Sequence, residues 1–416
     1  MTQRELLRTD AECIYTAAVR ACLPDEAVKK ALDSLPEGKG KLILLAIGKA
    51  AWQMAQAATR ILGDRLHCGM VITKYGHSKG AIPGVEIYEA GHPVPDENTV
   101  RATERALEMT GELSSDDIVL FLVSGGGSAL FESVDCDLSE LKALNADLLA
   151  SGASIEEINV VRKHLSNIKG GRFAIHCAPA QVFTVLLSDV LGDRLDTIAS
   201  GPSVADPSTV EQVQAILQKY QIFCSQTVKT LLLRETPKNV ENATYFIGGS
   251  VRELCRHAAE EARARGYETH LLTDHLTCEA SQAGSFLASV ARTHRESALP
   301  LAFVAGGETV VHLKGKGLGG RNQELALAAA KEIDGFDNVA LFSIGSDGTD
   351  GPTDAAGGYV DGFTASALRE RGIDIFEVLE QNDSYHALAA CGGLVFLGAT
   401  GTNVNDLAVV LIQPNY

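Results

Sequence analysis

One local pattern recurs along the chain: a short β-branched or apolar run, then glycine or serine, then a helix-like stretch. LILLAI (42–47) runs into Gly48-Lys49-Ala50 and IVLFLV (118–123) into Ser124-Gly125-Gly126-Gly127-Ser128. VFTVLL (182–187) runs into Ser188-Asp189, LAFVA (301–305) into Gly306-Gly307-Glu308, and ALFSI (340–344) into Gly345-Ser346-Asp347. Short strands alternating with helices predict α/β layers with mostly parallel strands. Further strands are expected at 69–73, 243–247 and 269–272, and helices at 50–62 and 208–220. The charged, irregular stretch from Thr227 to Glu241 interrupts the pattern, so two α/β domains are predicted, 1–238 and a smaller 239–416. Open α/β sheets bind ligands outside the carboxyl ends of their strands, which makes the glycine-rich strand ends the candidate sites.

Composition removes several function classes. Lys plus Arg number 36 against 53 Asp plus Glu, a net charge of −17, which argues against nucleic acid or an anionic membrane as partner. No apolar run approaches the roughly 18 residues of a membrane span. The charged start MTQRELLRTDAE is not a secretory signal. Nine scattered cysteines without a C-x-x-C pair read as small apolar residues kept reduced, so the expected location is the cytoplasm. No H-E-x-x-H or similar spacing is present, and a protein-held zinc is not expected.

At the strand ends, the residue types point to anions. Lys49 sits where a strand end meets a helix start and is either a solvated lysine or an anchor for a carboxylate or phosphate. Ser124 to Ser128 offers backbone N–H groups and two hydroxyls, a phosphate cradle that is neither a Walker A loop nor a nucleophile elbow. Arg162, Lys163, Lys169 and Arg172 form a basic cluster, either a solvated face or a second phosphate-facing element. Asp189 and Asp193 fit a magnesium site completed by substrate phosphates, or a turn and a cap. GKGLGG (315–320) matches G-x-G-x-x-G, but its approach turns polar at His312-Leu313-Lys314 and Arg321 follows it. It reads as an anion loop delivering Arg321 more readily than as a dinucleotide fingerprint, with a plain glycine turn as the alternative. GSDGTDGPTD (345–354) lacks the calcium-loop register and reads as an acidic bend able to meet a polyhydroxy substrate or a metal.

In order, AIGKAA (46–51), SGGGSAL (124–130), INVVRKHLSNIKGGRFA (158–174), SDVLGD, IASGPSVADPST, GGET, GLGGRNQE, SDGTDGPTDAAGG and TGTNVND resemble the class II glycerate kinases across nearly the whole chain. The resemblance implies an N-terminal Rossmann-like domain joined to a C-terminal MOFRL domain, with the active site in the cleft between them. It also implies ATP- and Mg²⁺-dependent phosphorylation of D-glycerate on its 2-hydroxyl. Lys49 and Arg321 match the family's important Lys and Arg. On this reading Lys49, Arg321 and Asp189 are the catalytic candidates, and Asp189 is the candidate for the metal or the base. Ser124, Gly125, Gly126, Gly127, Ser128 and Lys169 face the nucleotide; Lys49, Arg162, Glu308, Asn322, Asp347 and Asn403 face glycerate. TGTNVND lacks the proline often found before it, and DSYHALAACGG replaces a more aromatic stretch, departures that bear on fine-tuning and not on the reaction. Family members have also been labelled hydroxypyruvate reductases, which makes an NAD(P)H-dependent reductase the runner-up. Small molecules are the expected partners, and homo-oligomer formation is left open.

Overall fold

The structure, a computed structural model, describes residues 1–192 and 194–415 and divides into two compact units. One comprises Pro24–Gly248; the other joins Met1–Leu23 to Gly249–Tyr416.

The first unit is built on six strands: β1 (Leu42–Ile47), β2 (Cys68–Lys74), β3 (Val85–Ala90), β4 (Ile118–Val123), β5 (Gln181–Leu187) and β6 (Ala243–Gly249), in the order β3-β2-β1-β4-β5-β6. β1 to β5 pair in parallel, and every residue of β1 and β4 is buried because helices cover both faces of the sheet. Alternate side chains serve two cores: Leu42, Leu44 and Ala46 pack with Trp52 and Met54 on one face, while Leu45 and Ile47 pack with Phe121, Phe131 and Phe173 on the other. The Phe121 and Phe173 rings lie 4.8 Å apart. A third, smaller core belongs to helices alone, where Leu141, Leu144 and Leu148 meet Ile158, Val161 and Val213. In this strand order the chain leaves β1 toward β3 on one side and β4 toward β6 on the other. The carboxyl ends of β1 and β4 therefore form the switch point at which such sheets bind ligands.

The second unit carries β7 (Glu268–Leu276), β8 (Leu301–Gly307), β9 (Val339–Gly345), β10 (Gly357–Asp361), β11 (Leu394–Val395) and β12 (Asp406–Ile412), in the order β11-β10-β9-β12-β8-β7. The expectation of mostly parallel strands fails here. Only β7 and β8 pair in parallel among the described strands, because β12 returns from the C-terminal end of the chain and inserts antiparallel between β8 and β9. That insertion brings the start of β12 level with the ends of β8 and β9, where Asp406 is in register with both Gly307 and Gly345.

The units differ from the predicted division at 238/239 in two places. Residues 243–249 form β6, the edge strand of the first sheet. The helix Gln3–Ala21 packs on the helix Val251–Ala264 of the second unit. Its buried Asp10 accepts hydrogen bonds from the Tyr267 hydroxyl at 2.7 Å and the Arg265 guanidinium at 2.9 Å, and Tyr15 meets the Phe342 ring edge-on at 5.4 Å. Contacts between residues about 255 apart in sequence leave no local signal in the pattern of runs. The nine cysteines are free, and no described helix is long and apolar enough to cross a membrane. Leu7 and Ile14 are fully buried in this helix. Leu7→Ala or Ile14→Ala should cost about 2 to 5 kcal/mol in denaturant unfolding. Hydrogen exchange should then speed up first in Val251–Ala264 and not in β1 or β4; the reverse order would refute this placement of the helix.

Candidate active site

At the switch point the two strand ends are stitched together. Gly48 adopts φ +110°, and a Cβ there would strike the Ser124 hydroxyl and carbonyl, so only glycine permits this approach. The Ser124 hydroxyl accepts the Ala50 N–H at 3.0 Å and donates to the Ile47 carbonyl at 3.2 Å, while the Lys49 N–H reaches the Gly125 carbonyl at 2.9 Å. Lys49 is exposed beside Gly126, with the His92 ring on the same side, and the Asp189 carboxylate abuts Gly125. Burial, with Lys49, Lys74 and His77 nearby, holds the His92 imidazole below its ordinary range, so it is neutral at pH 7. The N–H groups of Gly125, Gly126 and Ser128 have no hydrogen-bond acceptor among the described residues. Behind this loop the Ser128 hydroxyl lies 3.0 Å from that of Ser200, which donates to Asn159 at 3.1 Å. Ala199 and Ser200 are held at φ +49° and +61°, a strained conformation of the kind that gathers at functional sites. Uncommitted N–H donors, a lysine and a carboxylate at one strand edge suit a phosphorylated ligand. Sequence reading missed His92, Asn159 and Ser200, which lie outside the strand-end loops it followed. The expectation for Asp193 falls outside the described residues.

The basic cluster does not act as one face. Lys169 has no exposed surface; its ammonium donates to Glu132 at 2.6 Å and to the Phe131 carbonyl at 3.0 Å. It is therefore a structural cation under the loop, and the expected contact with nucleotide is corrected. Lys163 is likewise buried between Asp196 (3.0 Å) and Asp206 (3.2 Å), and Arg172 donates to the Lys163 and Glu235 carbonyls. Arg162 differs: it is half-buried, donates only its Nε, to Asn145 at 2.7 Å, and has no ion-pair partner among the described residues.

In the second unit Arg321 opens the helix Arg321–Glu332 at the sheet edge where β8 and β9 end and β12 begins. Its Nε and Nη2 grip both oxygens of Asp406 at 2.6 and 3.1 Å, and Nη1 donates to Glu308 at 2.9 Å. Burial works against its charge, but Asp406, Glu308 and Asp350 outweigh that and keep it firmly protonated. Asn405 donates to the other Glu308 oxygen at 3.2 Å. Glu308, Asp347 and Asn403 retain solvent-facing surface at this edge, with Asp347 accepting the Thr349 N–H and Asn403 the Asn405 N–H. Asn322 does not: it is 1% exposed and fixed between Ser343 and Asp350 at 2.6 and 3.3 Å, which corrects its assignment to substrate. Asp406 and Asn405, the residues that orient Arg321 and Glu308, were not singled out from sequence.

GKGLGG is in part committed to the protein and does not stand open as the Gly125–Ser128 loop does. Half of its N–H groups are taken by protein acceptors: Gly315, like Lys314 before it, donates to the Asn382 side chain, Gly317 to the Gln381 carbonyl and Leu318 to Asp383, while those of Lys316, Gly319 and Gly320 have no acceptor among the described residues. Its glycines let the backbone lie against residues 381–384 and Asp350. The helix N-terminus that follows is capped internally, because the buried Asp350 carboxylate accepts the Asn322 and Gln323 N–H groups at 3.1 and 2.9 Å. Asp350 is the residue of the acidic bend with a definite task, and that task is structural.

Two measurements follow. Lys169→Met leaves a buried carboxylate unpaired and should cost about 3 to 5 kcal/mol, while Lys169→Met with Glu132→Gln should recover much of it; a stable, catalytically dead Lys169→Met would restore the nucleotide role. Burial, opposed by the Gln323 and Asn322 N–H groups and aided by Asp406, lifts the Asp350 carboxyl to about 6. The folded state then holds a proton that the unfolded chain has already released. This group's contribution to stability therefore falls as pH rises from about 4 to about 6, by roughly 3 kcal/mol, and is level above that. Unfolding of wild type and Asp350→Asn across this range should show the difference changing in that sense; a constant difference would refute it.

Residues 10–233 match the family model described as a domain of unknown function, DUF4147, and residues 301–406 match the MOFRL family. The D-glycerate 2-kinase of Thermotoga maritima is 51% identical over 99% of this chain and 100% of its own. A crystal structure of glycerate kinase from the same organism matches with a TM-score of 0.95 and 52% identity, over 98% of this chain and 100% of that one. A protein of Agrobacterium vitis bearing the name of a hydroxypyruvate reductase is 39% identical over 99% of this chain and 95% of its own. With one model covering more than half of the sequence and full-length identity at this level, the chain belongs to the glycerate 2-kinase family that carries a MOFRL domain at its C-terminal end.

Proposed function

We propose that this chain transfers the terminal phosphoryl group of ATP to the 2-hydroxyl of D-glycerate. The observation that carries the reading is the Gly125–Ser128 loop, whose Gly125, Gly126 and Ser128 N–H donors have no acceptor among the described residues and lie beside Lys49 at the switch point of the first sheet. Phosphoryl transfer rests mainly on positioning and charge stabilisation. The loop holds phosphate oxygens, and Lys49 pairs with the transferred phosphate or the glycerate carboxylate. Asp189, next to Gly125, is the carboxylate that would hold Mg²⁺, which neutralises phosphate charge when bound. Asp406 fixes the plane of Arg321 from the buried side. Glu308 holds the outward Nη1 through a partly exposed pair, worth about 0 to 1 kcal/mol, so an anionic substrate group displaces it at little cost. Glu308, Asp347 and Asn403 then serve the hydroxyls of glycerate. The reductase reading lacks this support, since the loop that would take the dinucleotide has the N–H groups of Gly315, Gly317 and Leu318 bonded within the protein.

The direct experiment is purified protein with D-glycerate and Mg-ATP, with products resolved by position. 2-Phosphoglycerate and ADP are expected; NADH oxidation by hydroxypyruvate without ATP turnover would overturn the reading. Arg321→Ala should lower kcat by about 100- to 1000-fold, as for loss of one transition-state donor. Arg321→Lys should remain impaired, because an ammonium cannot keep the two-pronged Asp406 grip. An unchanged kcat with a raised KM for glycerate would reduce Arg321 to ordinary binding. Lys49→Ala should remove activity and leave stability unchanged.

A further inference from the structure

Beside the glycine loop, the first unit contains a cavity of about 350 Å³ that the reading above leaves unused. It lies within Pro24–Gly248, and Gly126 and Ser128 of the loop form part of its wall. Aliphatic side chains supply much of the rest: Val94 and Pro95 from the loop after β3, and Ala146 and Leu149 from the helix Leu138–Ala150. Val94 and Leu149 are 53% and 61% exposed and give this wall an open apolar surface. Two cations line the same cavity, Arg162 and Lys142, and neither has an ion-pair partner among the described residues. Lys163 and Lys169 of the same stretch are held in ion pairs, which Arg162 and Lys142 are not.

Apolar walls, unpaired cations and free N–H donors at the edge define the occupant: a flat, largely apolar ring system joined to an anionic chain. We infer that this cavity holds the base and sugar of the phosphate donor, a nucleoside triphosphate whose phosphates extend onto Gly125–Ser128. The volume falls at the low end of small-molecule sites, about 300 to 1,000 Å³, which leaves the phosphates outside at the loop. Arg162 and Lys142 meet sugar hydroxyls and the first phosphate. This places Arg162 with the nucleotide and not with glycerate. The inference rests on the kinase reading for the identity of the donor but not for the site itself.

The test fills the cavity from outside. Ala146 is exposed, so Ala146→Trp puts an indole into the space without disturbing a core, and Leu149→Asp adds a carboxylate to the wall as an independent second variant. Both should weaken ADP binding, measured by calorimetry without glycerate, by at least about tenfold, and raise the KM for ATP alike while the KM for glycerate holds. Wild type should favour ATP over inorganic tripolyphosphate as donor, and Ala146→Trp should lose most of that preference. Folded variants that bind ADP as wild type does, while wild type makes 2-phosphoglycerate, would overturn this inference and leave the kinase reading standing. A wild type that binds ADP, loses it in both variants and phosphorylates nothing would do the opposite.

Discussion

The contact on which the first unit's site depends is the one between Gly48 and Ser124. A parallel sheet delivers strand ends to one edge but does not fix the loops that leave them. Here one serine hydroxyl bridges the end of β1 and the start of its helix, and the missing Cβ of Gly48 lets the backbones meet. Lys49 and the glycine loop are then held in one frame through the Lys49 N–H bond to Gly125. A strained Ala199-Ser200 turn and the buried Lys169–Glu132 pair support the loop, whose Gly125, Gly126 and Ser128 N–H groups have no acceptor among the described residues. Fixed dipoles of this kind stabilise an anion without reorganising, which is what a phosphoryl-transfer site requires.

The second unit solves a different problem with similar letters. Its glycine-rich loop and helix start look like an anion site in sequence, yet several of the donors there, those of Gly315, Gly317, Leu318, Asn322 and Gln323, are bonded to the protein. Asp350 occupies the helix N-terminus, and Asn382 and Asp383 take the loop. The gain is rigidity at Arg321, the first residue of the capped helix, whose guanidinium Asp406 then orients. The helix cap and the Asp406 pair fix the backbone and the side chain of Arg321 separately, which keeps its remaining N–H groups directed toward the sheet edge.

How much of this was legible in the sequence follows from how local each cause is. β1 and β4 match the expected runs at 42–47 and 118–123, since both are apolar throughout and end at glycine or serine. β3 was not anticipated because VEIYEA alternates charge with apolar residues at a sheet edge, and β10 because its glycines mask a strand. β12 is apolar after Asp406, but nothing near it announces antiparallel insertion between β8 and β9. The strand-end loops were found for the reason that strands deliver them. The failures share one cause: Lys169, Asn322 and GKGLGG each have partners tens of residues away, Glu132 at 37 positions and Asn382 at 67 or more. Residue type announces a donor, and only the fold reveals whether an acceptor already holds it.

That distinction matters more in this chain than in a neutral one. A protein of net charge −17 repels a triphosphate and a carboxylate at long range, so attraction has to come from local groups whose field is not cancelled nearby. Two of the four cations of the first unit's basic stretch are cancelled: Lys163 lies between two aspartates and Lys169 against a glutamate. Lys49, Lys142 and Arg162 are not, and all three lie around the Gly125–Ser128 loop or the cavity beside it. In the second unit, by contrast, Arg321 is outnumbered by Asp406, Glu308 and Asp350, so that edge favours hydroxyls and a displaceable carboxylate over a phosphate chain. On the proposed reading, the division of labour between nucleotide and hydroxy acid then follows the local pairing of cations near each loop and not their number.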